Sequence, residues 1–252
     1  MILDDIVRAA GERLAGLDQT KAAGTGGMPH RSLEAAILSC RERHAIIAEV
    51  KYASPSRGRI HDGATPAAIA REFADAGAVA LSVLTEPTYF GGSIENLARV
   101  RGAVSLPILR KDFIIDERQV AETRAFGADA VLLIARLLGD RLSAFVDAAL
   151  EIGLEPLVEV HNRGEMERAL ATGANLIGIN NRNLETMTVD LSTTVHLARV
   201  ARDAGMTVVS ESGITWPYDV RRLSRHCDAF LIGSALMSAK DRQKRLEGFV
   251  FA

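Results

Sequence analysis

One degenerate phrase recurs along this chain and limits what it can fold into. The segments "ADAGAVALSVLTE", "RAFGADAVLLIA", "LEIGLEPLVEV", "LATGANLIGIN" and "RDAGMTVVSES" share a grammar: a helix-like stretch closes with Gly, and a short apolar run follows. Gly77, Gly127, Gly153, Gly173 and Gly205 stand where a helix is expected to end in a left-handed residue. "SRHCDAFLIGS" repeats the phrase with Cys227 in place of that Gly. Strand-like runs begin near Ala45, Val79, Pro107, Asp129, Glu155, Asn175, Met206 and Asp228. Helical periodicity spans Pro66 to Asp75, Ile94 to Val104, Glu117 to Phe126, Leu142 to Ile152, Gly164 to Ala171 and Ser192 to Ala204.

Strand and helix therefore alternate, and the strands are apolar on both faces, as a parallel sheet covered on both sides demands. About eight such units in roughly 250 residues is the size of a (β/α)8 barrel. A doubly wound sheet uses the same alternation, but no Gly-x-Gly-x-x-Gly follows the first strand, which disfavours its dinucleotide-binding form. No linker or low-complexity stretch divides the 252 residues, so one α/β barrel domain is expected over residues 1–252. Residues 1–44 precede the first strand and form an N-terminal helical extension expected to lie across one end of the barrel. Its start, "MILDDIVRAAGERLAG", aligns Ile2, Ile6, Val7, Ala10 and Leu14 on one helical face. "KAAGTGGMPH", Lys21 to His30, reads as a loop.

A formal net charge of -2 gives no electrostatic footprint for nucleic acid and no basic face for a membrane surface. No apolar run approaches the roughly 18 residues of a spanning helix, and the N-terminus lacks the basic-then-apolar pattern of a signal peptide. Cys40 and Cys227 are far apart and read as reduced thiols of a cytoplasmic protein. His61 and His161 have no ligand partner at metal-site spacing, so no metal is expected, and both read as solvent-facing or loop histidines.

Active sites of such barrels lie at the C-terminal ends of the strands. Here those ends carry Glu49 and Lys51; Arg110, Lys111 and Asp112; Glu159; Asn180, Asn181 and Arg182; Glu211 and Ser212; and Gly233 and Ser234. Side chains alternate along a strand, so Ile47, Glu49 and Lys51 share a face, as do Leu109 with Lys111 and Leu157 with Glu159. If the apolar members point inward, several charges converge on the mouth, where they persist only if paired or used. A structural ion-pair network is the plain alternative. "SESGI" and "IGSAL" place Ser beside Gly after the seventh and eighth strands, where backbone N–H groups can meet a phosphate.

The motifs "IIAEVKYASPSRG", "VLTEPTYFGGS", "PILRKDFII", "PLVEVH", "IGINNRNL", "SESGI" and "FLIGSALM" occur in order from Ala45 to Met237 and resemble the successive strand motifs of the indole-3-glycerol phosphate synthase family. The resemblance implies a lyase of tryptophan biosynthesis that uses no cofactor. It converts 1-(2-carboxyphenylamino)-1-deoxyribulose 5-phosphate to indole-3-glycerol phosphate, carbon dioxide and water. By match to the family motifs, Lys111 is the general acid for ring closure and Glu159 the general base. Lys51 contacts the phosphate or carboxylate and is a candidate proton donor in dehydration; Glu49 and Asn180 orient these groups, with Glu49 a candidate base. Ser54, Arg182 and Glu211 meet polar groups of the substrate, while Phe90, Phe113, Leu132 and Leu184 form a slot for its aromatic ring. Ser212, Gly213, Gly233 and Ser234 hold the phosphate. Which lysine serves which step stays open. A lysine among cations and apolar walls would have a lowered pKa.

Tyr52 and Arg57 stand where the family often has Lys, and Asp116-Glu117 replaces an Asp-Pro, which bears only on how the third helix starts. The runner-up enzyme is a phosphoribosylanthranilate isomerase-like barrel, which would need a Cys at the end of the first strand. A non-catalytic phosphate-ligand-binding barrel would not need the acid–base set. A small phosphorylated substrate and a monomer are expected, with no nucleic-acid or membrane partner.

Overall fold

The computed structural model describes residues 2–14, 30–54, 58–60 and 63–252. Eight parallel strands close into a barrel: β1 (Ala45–Val50), β2 (Ala80–Leu84), β3 (Ile108–Lys111), β4 (Ala130–Ile134), β5 (Glu155–Val160), β6 (Leu176–Asn180), β7 (Thr207–Glu211) and β8 (Ala229–Ile232). Neighbours in sequence are neighbours in space, and β1 closes the ring against β8 through the register Ala45 to Ala229. Each strand starts within one residue of the position expected from the repeat.

Closure explains the two-sided hydrophobicity. Ile47, Leu109, Leu132, Leu157, Leu176, Val209 and Leu231 form the barrel interior. Their alternates, such as Ile46, Leu81, Ile108, Val131, Val158, Ile177, Val208 and Phe230, pack outward against the helices. At about 25 cal/mol per Å² of apolar surface removed from water, these two layers supply the main drive for folding. The helices Pro66–Asp75, Ile94–Arg101, Glu117–Ala125, Leu142–Glu151, Arg163–Leu170 and Ser192–Asp203 match the expected periodic segments. Pro217–Leu223 and Arg242–Val250 complete the outer ring. Asp116 caps Glu117–Ala125: its carboxylate accepts from Arg118 N at 2.9 Å while its own N–H donates to Gln119 Oε1 at 3.1 Å.

Four of the five repeat glycines have positive φ; Gly173 does not. Thr172 replaces that device, its hydroxyl donating to the Ala169 carbonyl at 2.7 Å and accepting from Ala174 N.

The N-terminal segment covers both ends of the barrel rather than one. Helix α1 (Ile2–Leu14) lies at the C-terminal mouth, where Ile6 lines the cavity and Arg13 meets Asp112 beyond β3. Helix α2 (Leu33–Leu38) plugs the opposite end, burying Leu33 and Ile37 against the interior. Its first turn is held by Glu155 at the start of β5, whose Oε2 accepts from Leu33 N at 2.7 Å and Glu34 N at 3.0 Å. Glu34 in turn accepts from Thr207 Oγ1 at 3.0 Å at the start of β7. Most of the expected loop from Lys21 lies outside the described residues.

Glu155→Ala removes the acceptor for two helix N–H groups in α2. It should destabilise the fold by about 1–2 kcal/mol, seen as a lower urea midpoint. Glu155→Gln, which keeps one acceptor, should lose less.

Candidate active site

The polar strand ends do converge. One cavity at the C-terminal mouth is lined by Glu49, Lys51, Lys111, Glu159, Asn180, Arg182, Glu211, Ser212, Gly213, Gly233 and Ser234, and by Phe90, Phe113, Leu132 and Leu184. The structure thus brings together every expected site residue except Ser54. Its side chain, like Pro55 to Arg57, lies outside the described residues.

The centre of the cavity is Lys111. Its Nζ donates to Glu211 Oε2 at 2.8 Å and to Glu159 Oε2 at 3.1 Å. Glu159 also accepts from Asn180 Nδ2 at 3.1 Å, and Asn180 Oδ1 accepts from Arg182 N at 2.9 Å. A second pair lies beside it, Lys51 Nζ to Glu49 Oε1 at 2.6 Å. Glu49, Glu159 and Glu211 are each no more than 3 % exposed, so any charge they carry depends on these partners.

Space for these side chains comes from two glycines. A methyl group at Gly178 would collide with Glu211 Oε1, and one at Gly233 with Glu49 Oε1.

The charges set each other. Burial disfavours the Lys111 ammonium, but Glu211, Glu159 and Glu49 more than offset it and push its pKa up, not down as apolar walls alone would. Burial also opposes ionisation of Glu159, yet Lys111, His161 and Asn180 hold it well below the usual carboxylate range. Glu211 goes the other way: burial and the negative charges of Glu159 and Glu49 outweigh Lys111 and push it up. Its Oε1 is buried without a hydrogen-bond partner.

On one wall, the rings of Phe90 and Phe113 lie 6.2 Å apart at 36°, making a slot with Leu132 and Leu184. Opposite are the loops after β7 and β8. Ser212 and Gly213 both have positive φ, 62 and 83, which turns the chain sharply at the cavity edge. A side chain other than Gly at position 213 would strike Val189. Gly233 precedes the short helix Ser234–Met237.

Several neighbours were not apparent from sequence. Ile6 reaches the cavity from α1, and Leu84, Ile134, Met187 and Leu231 add apolar wall. Arg110 turns away from the mouth to Thr85, Gln119 and Thr123, while Asp112 joins Arg110 to Arg13. His161 is not solvent-facing; its side chain is 10 % exposed between Glu159 and Glu165. Tyr52 donates to the Ala64 carbonyl at 3.3 Å and so braces the loop after β1. Cys227 is buried in the helix layer and Cys40 lies after α2, so neither meets the cavity.

Comparison with known proteins agrees with this geometry. The indole-3-glycerol phosphate synthase family model matches residues 5–249. The chain belongs to the indole-3-glycerol phosphate synthase family. It is 47% identical to the synthase of Aquifex aeolicus over 217 residues, covering 85% of this chain and 83% of that protein. It is 45% identical to that of Neisseria meningitidis over 251 residues, covering 94% and 95%. A thiamine phosphate pyrophosphorylase from Pyrococcus furiosus shares the barrel, with TM-score 0.60 at 18% identity over 82% of this chain and 93% of that one. Family membership gives this chain the synthase's carboxy-lyase activity in tryptophan biosynthesis and a phosphorylated substrate. Among the described residues, no helix is long and apolar enough to cross a membrane.

Gly233→Ala tests crowding of the Glu49–Lys51 pair, because the added methyl would meet Glu49 Oε1 and Lys51 Nζ. It should retain the fold by circular dichroism and lower kcat about a hundredfold, the scale of a small misplacement at the reacting groups.

Asp112 provides a pH test. Burial would raise its pKa, but Arg110 and Arg13, with Thr85, lower it from 3.8 to about 2. A carboxylate depressed on folding stabilises above its unfolded pKa, and that contribution is lost as pH falls through the folded one. Asp112→Asn should therefore lower stability at neutral pH and flatten the acid limb between about pH 4 and about pH 2.

Proposed function

We propose that the charged mouth carries out ring closure, decarboxylation and dehydration of 1-(2-carboxyphenylamino)-1-deoxyribulose 5-phosphate with the following division of labour. The aromatic ring occupies the Phe90–Phe113 slot, bounded by Leu132 and Leu184. The phosphate lies against Ser212, Gly213, Gly233 and Ser234, within reach of Lys51. Ser54, Arg182 and Glu211 meet the remaining polar groups of the substrate.

Lys111 gives a proton to the ribulose carbonyl oxygen as the ring carbon attacks. The observation that carries this assignment is its Nζ, held between Glu159 and Glu211 at the head of the apolar slot. A fully cationic ammonium stabilises the oxygen's developing charge whether or not transfer is complete. Loss of the carboxylate as carbon dioxide then returns electrons to the ring and restores aromaticity. For dehydration, Lys51 protonates the departing hydroxyl and Glu159 removes the proton whose loss completes the indole. Glu49, 2.6 Å from the Lys51 amine, orients it and is the alternative base; Asn180 fixes Glu159. The chain is read as one domain, acting as a monomer in the cytoplasm.

The test is indole fluorescence on incubation with the substrate. Lys111→Ala should lower kcat by about 10²–10⁴, the usual weight of general acid catalysis, with KM little changed. Ser234→Asp, which sets a carboxylate against the phosphate, should raise KM far more than it lowers kcat. Turnover unaffected by Lys111→Ala would remove the acid assignment, and unchanged KM in Ser234→Asp the phosphate assignment.

A further inference from the structure

Beyond Glu159 the chain turns into the helix Arg163–Leu170, and the turn is tied by a reciprocal cap. Asn162 Oδ1 accepts from Glu165 N at 3.0 Å, and Glu165 Oε1 accepts from Asn162 Nδ2 at 2.8 Å. The other oxygen, Glu165 Oε2, accepts from His161 N at 2.7 Å and lies 3.0 Å from His161 Nδ1. The ring is thereby fixed with Nε2 3.4 Å from Glu159 Oε1. That nitrogen is buried and makes no regular hydrogen bond.

A carboxylate can only accept, so Nδ1 must carry a proton to bond Glu165. A neutral ring would then aim its Nε2 lone pair at a second carboxylate, Glu159. Protonating Nε2 as well replaces that repulsion with attraction. We propose that His161 is a positioning residue for the base, a buried imidazolium clamped by Glu165 that gives Glu159 a second positive partner besides Lys111. Its function follows from the acid step. When Lys111 delivers its proton it becomes a neutral amine, and Glu159 and Glu211 lose their shared counter-charge. Without another cation, Glu159 would compete with the substrate carbonyl for the Lys111 proton. With His161 charged, Glu159 stays a carboxylate through ring closure and is available as base afterwards. This inference rests on the reading of Glu159 as base.

The groups facing His161 favour the cation. Glu159 comes from β5, Glu165 from the following helix and Glu211 from β7, and together they outweigh the burial that opposes protonation. Lys111 on β3 lies on the other side of Glu159 and is engaged by two carboxylates. Arg136, in the segment Ala135–Leu138 that packs on the Arg163–Leu170 helix, is paired with Glu185.

Nitrogen-15 NMR of the histidine-labelled wild-type enzyme reads the charge directly. His161 should show both ring nitrogens protonated at pH 7 and titrate above the other histidines; a neutral ring at pH 7 overturns the proposal. In the kinetic arm, His161→Ala should lower kcat about tenfold with KM unchanged, the scale of a shift of about one pKa unit at the base. Losing a cation beside Glu159 raises that carboxyl's pKa, so the acid limb of the kcat–pH profile should move to higher pH. His161→Gln restores a neutral donor and should recover part of kcat while leaving the limb displaced. Glu165→Gln should displace it in the same direction. A wild-type kcat and pH profile in folded His161→Ala also overturns the proposal. Glu159→Gln separates the two readings: if it remains active the base assignment fails, whereas if it is inactive while His161→Ala matches wild type only the role of His161 fails.

Discussion

Lys111 and the two carboxylates that share it govern the mouth of this barrel. None of the three could remain charged there alone, because burial in a low-dielectric site costs an isolated ion several kcal/mol. The sharing is also unequal. Glu159 has Lys111, Asn180 and His161, whereas Glu211 has Lys111 and an unpartnered oxygen. One carboxyl is consequently held as an anion and the other pushed toward holding a proton. Two glutamates on neighbouring parts of one wall thus acquire different chemistry from their surroundings alone.

Barrel closure makes that arrangement possible. Alternation sends every second residue inward, and the inward column ends at the mouth, so Ile47 leads to Glu49 and Leu157 to Glu159. Glycines at 178 and 233 then leave room for Glu211 and Glu49. The N-terminal segment serves both ends. α2 seals the floor through Glu155, and α1 reaches the mouth through Ile6 and the Arg13–Asp112 pair. That pair ends one residue from Lys111, so the extension is mechanically continuous with the site.

Much of this could be read in the sequence, for identifiable reasons. Strand starts fell within one residue because each follows a helix end and opens a run apolar on both faces, a pattern few other elements share. The expected site residues met because alternate residues at the end of each barrel strand point into the same mouth, while those between them, such as Arg110, turn outward. The last two outer helices were missed: Pro217–Leu223 is short, and Arg242–Val250 opens with charged residues that blur its apolar stripe. The position of α1 was not legible because periodicity identifies a buried face but not what covers it. His161 lies in the turn after β5, as a loop histidine would, but its burial was not legible for another reason. Metal-ligand spacing says nothing about burial, whereas Asn162 with Glu165 three residues on is a helix-capping pattern that swings the ring back toward Glu159.

The same electrostatics bear on release, given the proposed reaction. The substrate enters with two anionic groups, a carboxylate and a phosphate, into a mouth whose lysines are already matched by glutamates. Binding must therefore redistribute existing pairs rather than neutralise free cations, and Lys51, bonded to a single carboxylate, can shift more readily than Lys111 between two. Decarboxylation removes one of the substrate's two anionic anchors, so the phosphate is the product's one remaining anion. As the lysines return to Glu49, Glu159 and Glu211, those glutamates compete with the product for the same cations. The resident carboxylates thus organise the lysines before the reaction and favour departure after it, a double role that a purely cationic pocket, tighter for both substrate and product, would not have.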